Sequence, residues 1–338
     1  MKIENETEYE VQNKPEEEGQ KKYGPQALPI AIVIAGVLIS GTMLYISQNP
    51  PDKIAAKNQK VATTKDPHVS ALEESVTPEK GVTLPVSWGD LGAKMASVGV
   101  IDVEKLKAVY DGRGEFTEEY KNLLLGSNNG KLKITRENSG YLLNLFWALG
   151  LSSKNPILDS GEMTNKAYGG AGNFASTGGW TIAVGDSMDH YSRHKFFNLT
   201  AEQQSLVDKV SGGIYRPCCN NSTHFPDCNH GMAMLGLLEL TASQGASEED
   251  LWKIALAVNS YWFPDMYITM AFYMKDKGIE WKNVNPREIL GIDYSSASSY
   301  AKIASKVALP ESSPGGSGCA VDSGQVADAP KQQSDCDL

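Results

Sequence analysis

The sequence predicts a mainly α-helical globular domain carried behind a single N-terminal transmembrane helix. Three observations lead there: a charge-free apolar run near the N-terminus, a succession of capped segments with helical periodicity between residues 84 and 309, and no persuasive strand alternation. At 338 residues and 41% hydrophobic, the chain is long enough to bury a full core.

Residues 27–46 contain no charged side chain, and twenty residues is the length a helix needs to cross ~30 Å of hydrocarbon. The transmembrane helix is accordingly expected at 28–47. A cleaved signal peptide is the alternative, but no small-x-small cleavage site follows and the preceding tail is acidic and long. No cysteine lies near the end of the run, so a lipobox anchor is excluded. Lys21 and Lys22 flank it on the N-terminal side and favour an inside N-terminus, although Lys53, Lys57, Lys60 and Lys65 follow it. The expected location is the cell membrane, single-pass, with the C-terminal domain extracytoplasmic.

The net charge of −10 sits mostly in the tails. Residues 1–27 hold four basic against seven acidic side chains, and residues 310–338 hold one against five. No basic patch occurs, which excludes a nucleic-acid partner. The membrane is the partner the sequence implies; it names no protein partner.

Residues 48–83, rich in Lys, Thr, Pro, Ala and Glu, read as a linker. Helices are then expected from Ala93 to Val98, after the N-caps Asp102 and Thr117, and over the apolar stretch from Ile134 to Gly150. Residues 151–180 hold Gly161, Gly169, Gly170, Gly172, Gly178 and Gly179 and predict an irregular loop. The pattern turns helical again from Asp186 to Phe197, and Thr200 with Gln203 forms a capping box opening a helix to Val210. Further helices are expected at about Cys228–Ser243, from Ser247 to about Tyr261, from Pro264 to Gly278, and at about Ser295–Val307. Beyond Pro310 the Gly, Ser, Asp and Pro content predicts a disordered tail carrying Cys319 and Cys336.

Between Ile214 and Met234 lie three of the five cysteines, Cys218, Cys219 and Cys228, with His224, His230, Met232 and Met234. Asp227 is the expected N-cap of the helix that follows, putting Cys228 where unpaired N–H groups favour a thiolate. Cys218, Cys219, Cys228 and His230 amount to three thiolates and an imidazole, enough for a tetrahedral zinc or a soft copper site. Met232 and Met234 read as core. Upstream, Asp186, His190 and His194 fall at i, i+4 and i+8, a row along a helix, so both imidazoles could face one ligand. His190, His194 and His224 are therefore further metal candidates, with the glycine-rich stretch 169–179 as a cover over one shared site.

The run Tyr215-Arg-Pro-Cys-Cys-Asn-Asn-Ser-Thr-His224 followed by Asp227-Cys228 resembles the exported bacterial domains named for a PCYCGC motif. Here the first two cysteines are adjacent and a third clustered cysteine is missing. The resemblance implies an exported, metal- or redox-linked domain and carries no reaction. The expectation is an extracytoplasmic metal-binding protein using copper or zinc. Two alternatives stand beside it: a thiol-disulfide oxidoreductase with Cys228 as nucleophile, and a structural surface domain stapled by Cys219–Cys228.

Overall fold

The computed structural model describes residues 67–112 and 114–307. The acidic tail, the predicted span at 28–47 and the C-terminal tail with Cys319 and Cys336 lie outside the described residues. Among the described residues no helix is long and apolar enough to cross a membrane.

The fold is mainly helical, and it begins earlier than residue 84. Helix α1, Pro67–Val76, lies in the stretch expected as linker; Leu72 and Val76 are buried, and these two apolar side chains one turn apart dock the helix on the core. Strand β1, Val82–Gly89, follows. Leu84, Val86 and Trp88 alternate inward along it, a period-2 pattern that Pro85 disguises. Pro85 is tolerated because it points outward, where the register to the partner strand is irregular between Thr83 and Ser87.

Helices α2 (Leu91–Ser97), α3 (Val103–Asp111) and α4 (Glu118–Leu125) come next. The Asp102 carboxylate and the Thr117 hydroxyl accept from the first-turn amides of α3 and α4, as their positions predict. Strand β2, Asn129–Ile134, pairs antiparallel with β1. Ile134 therefore closes a strand rather than opening a helix. Helix α5, Ser139–Ser152, starts after a tight turn in which Asn138 and Thr135 bond each other's backbones.

Beyond α5 the chain forms the short helix α6, Pro156–Ser160, and then 3-10 turns rather than long helices. The expected helix over 186–197 is absent. Ser187–Asp189 makes one 3-10 turn, and Ser192 adopts a left-handed φ of 49°, which breaks helical continuation between His190 and His194. Trp147 Nε1 donates to Ser176 O and Trp180 Nε1 to Val100 O, so two indoles tie this glycine-rich segment to the core.

Helix α7, Ala201–Gly213, has the Thr200–Gln203 capping box and runs through Gly212 and Gly213. The central helix α8, Asn229–Ser243, packs against α5 where Gly150 meets Gly236; a Cβ on either glycine would strike the backbone of the other helix. The crossing is thus set by two missing side chains. Met232 and Met234 are fully buried in α8, as core residues. The remaining helices are α9 (Glu248–Trp262), α10 (Pro264–Asp276), α11 (Pro286–Ile289), α12 (Ile292–Ser295) and α13 (Ala297–Ala304). The last helix, expected at about Ser295–Val307, is α13; Ser296, with an extended ψ of 151°, separates it from α12 and caps it through its hydroxyl.

Candidate metal centre

The cysteine loop is built by local turns between α7 and α8. Tyr215 pairs with Ser222 and donates its N–H to Leu290 O, while Thr223 N–H returns to Ile214 O. Inside this small hairpin Cys219 N–H closes a turn onto Arg216 O, with Pro217 and Cys218 at the central positions. Proline is well suited there because its fixed φ matches a β-turn. The turn delivers Cys218 and Cys219 to the same side as Cys228. From outside, Ala297 N–H donates to Cys219 O and Ser298 N–H to the Asn220 side chain, so the start of α13 braces the loop.

Three sulfurs result, at nearly equal separations: Cys218–Cys219 3.8 Å, Cys218–Cys228 4.0 Å and Cys219–Cys228 4.0 Å. These spacings are about twice a disulfide's ~2.05 Å, so no two of the three sulfurs are bonded to each other. Zinc–thiolate bonds of ~2.3 Å at the tetrahedral angle put sulfurs ~3.8 Å apart. His230 supplies a ring nitrogen within 4.8 Å of both Cys218 and Cys228 sulfurs. Its ring is wedged between Phe263, 4.4 Å between centroids, and Trp262, and its Nδ1 is buried with no hydrogen-bond partner. Burial lowers the His230 pKa to about 4, leaving a neutral imidazole.

Cys228 is the N-cap of α8 itself, one position on from the expected Asp227; its sulfur accepts from Gly231 N–H at 3.4 Å. Hydrogen bonds from Cys218 and Cys219 hold its pKa well below the usual thiol range, with the Arg216 charge helping against burial. For Cys219 the bond with Cys218 lowers the pKa, but the bond with Cys228 and burial prevail and push it up to about 12. Of these two, Cys228 is therefore the thiolate and Cys219 the thiol.

Sequence reasoning missed Arg216. Its side chain is 0% exposed, and Nη2 donates to Cys219 Sγ and to Asp227 Oδ1, each at 3.0 Å. Burial opposes its charge, yet Cys228, Cys219, Cys218 and Asp227 outweigh burial and keep it protonated. Asp227 is held in turn by Asn221 Nδ2 at 2.7 Å; burial and Cys228 still raise its pKa. The arginine stands two residues before the first cysteine, but that spacing alone carries no mark of burial.

The other histidines are placed elsewhere. The cysteine-centred ligand groups contain none of His190, His194 and His224. His190 Nδ1 and His194 Nε2 do meet, at 3.2 Å, but through a kinked turn, and His190 Nε2 faces Val184 O at 3.0 Å. Asp186 caps its own turn at Met188 N–H instead of orienting His190. His224 pairs with Asp208 of α7 at 3.0 Å. The glycine-rich segment does reach the cysteine loop: Ser176 N–H donates to Asp227 O, and Tyr168 and Phe174 pack on Phe225.

The chain matches no protein-family model, no curated protein and no solved structure.

Proposed function

We propose that the protein binds a divalent soft metal, zinc, through Cys218, Cys219, Cys228 and His230. The carrying observation is the triangle of sulfurs at the spacing of tetrahedral thiolate ligands, with a neutral imidazole on one edge. A metal bound by His230 Nδ1 would also satisfy an otherwise orphaned buried nitrogen. Charge favours zinc over cuprous copper: three thiolates with Zn²⁺ leave one net negative charge beside Arg216, and with Cu⁺ they leave two. Binding displaces the remaining thiol protons, so affinity falls on acidification.

The test is metal analysis of the full-length chain with Co²⁺ replacement. One metal per chain, with the thiolate-to-cobalt absorption of a tetrahedral site, and its loss in Cys228→Ser, support the reading. Metal-free protein sinks it.

The second reading is thiol-disulfide exchange with Cys228 as nucleophile, favoured by its depressed pKa beside two further sulfurs at 3.8–4.0 Å from one another. Rapid reduction of a disulfide substrate by metal-free protein would select it. Under either reading the apolar run at 28–47 serves as a single-pass anchor with the domain outside the membrane. A bound metal would then protect the three thiols from oxidation there. Labelling of intact cells with a membrane-impermeant reagent tests the orientation.

A further inference from the structure

Helix α8 carries a buried carboxyl group far from its cysteine end. Glu239 lies nine residues beyond His230, roughly 14 Å along the axis at ~1.5 Å per residue, and is 1% exposed. Its Oε1 accepts from Asn155 Nδ2 at 2.6 Å, and Asn155 is itself fixed by Gln204 Nε2 and by capping Ile157 N–H. Burial pushes the Glu239 pKa up to about 8 against the bond from Asn155 and the nearby Ser153 hydroxyl, so the carboxyl is protonated at neutral pH. Ser153 Oγ, equally buried, lies beside it with no well-aligned partner. A helix otherwise apolar at this depth gains nothing in packing from a glutamic acid.

Both groups border a cleft of about 270 Å³ between the start of α6, residues 195–200 and the start of α7. Pro156, Phe197 and Leu199 give it apolar walls, and Lys154 and Lys195 stand in its lining. Lys154 pairs with Asp159 at 2.8 Å, whereas the exposed Lys195 has no ion pair among the described residues.

We propose that this cleft binds a small organic carboxylate, its apolar body against Phe197 and Leu199 and its anionic oxygens taking hydrogen bonds from the Glu239 carboxyl and the Ser153 hydroxyl. A protonated carboxyl is a donor and a carboxylate only an acceptor, so the two share one proton where two anions would repel. Two lysines in the lining draw an anion and reject a cation. The apolar walls disfavour a strongly hydrated ion such as phosphate.

The experiment titrates the full-length chain with 4-fluorobenzoate by ¹⁹F NMR, beside 4-fluorobenzamide and 4-fluorobenzylamine. The expected result is a saturable shift for the benzoate alone. Lys195→Glu, a surface change, weakens it severalfold; Glu239→Leu abolishes it; Glu239→Gln retains it, because the amide still donates. Should Glu239→Leu fail to fold, Lys195→Glu decides. No saturable shift, equal binding of the neutral amide, or indifference to Lys195→Glu overturns the proposal.

Discussion

The guanidinium of Arg216 lies flat against Gly231, so close that a Cβ on the glycine would sit 2.8 Å from Cζ. The first turn of α8 and the buried charge beneath it are therefore one unit. Gly231→Ala should push Arg216 away from Cys219 and Asp227 and cost ~1–3 kcal/mol, as overpacking usually does. A thermal melt checks the loss, and metal titration should show weaker binding even at temperatures where the variant stays folded.

Arg216 and Asp227 are expected to be strongly coupled. Arg216→Met leaves a half-buried carboxylate and a thiolate without their cation, a change that typically costs ~3–5 kcal/mol. The double variant Arg216→Met, Asp227→Asn removes both charges of the pair and should recover part of that loss. Additive costs by denaturant unfolding would show that the pair acts as two independent groups.

In metal-free protein at pH 7, one thiol should dominate alkylation by iodoacetamide. That thiol is Cys228, whose pKa is depressed, while Cys219, pushed up to about 12, remains protonated. Peptide mapping after brief labelling reads the order, and added zinc should block the reaction. Equal labelling of Cys219 and Cys228 would contradict this order of acidity.

Much of this centre was legible before the structure, and the part that was not has a physical reason. Cys218, Cys219, Cys228 and His230 stand within thirteen residues, so local turns alone can converge them. Arg216 was illegible because burial of an arginine is decided by what packs over it, here Gly231 and the thiols. Strand β1 was hidden by Pro85, and α1 by a linker-like composition whose buried Val69, Leu72 and Val76 find their partners only in the tertiary fold. The N-caps Asp102, Thr117, Thr200 and Ser247 were readable because a cap is a contact within three residues.

Glu239 makes stability depend on pH in a definite direction. Its folded pKa, about 8, lies above the unfolded value of 4.5, so the folded state holds the extra proton between them. Stability should fall as pH rises through that window and level off above it, by about 3 kcal/mol between pH 4 and pH 7 from this group alone. Glu239→Gln keeps the acceptor for Asn155 and carries no charge, so its stability profile should lack this slope. Chemical denaturation across pH 4–9 compares the two, and parallel profiles would mean that the carboxyl ionises without penalty.

The histidine pair should matter to the fold and not to the metal. His190 Nε2 faces a carbonyl, so that nitrogen carries the proton; His190 Nδ1 is then the acceptor for His194 Nε2–H, giving a chain from His194 through His190 to Val184 O. The cysteine-centred ligand groups contain neither ring. Burial, then the neighbouring His190 and Arg193, depress the His194 pKa below 6.5. The unfolded chain therefore takes up this proton first as pH falls, and stability should drop through about pH 6.5 and flatten below the folded pKa. His194→Asn should flatten that part of the profile and leave metal stoichiometry at the wild-type value. Loss of metal in His194→Asn or His190→Ala, with the fold intact by circular dichroism, would return these histidines to the ligand set.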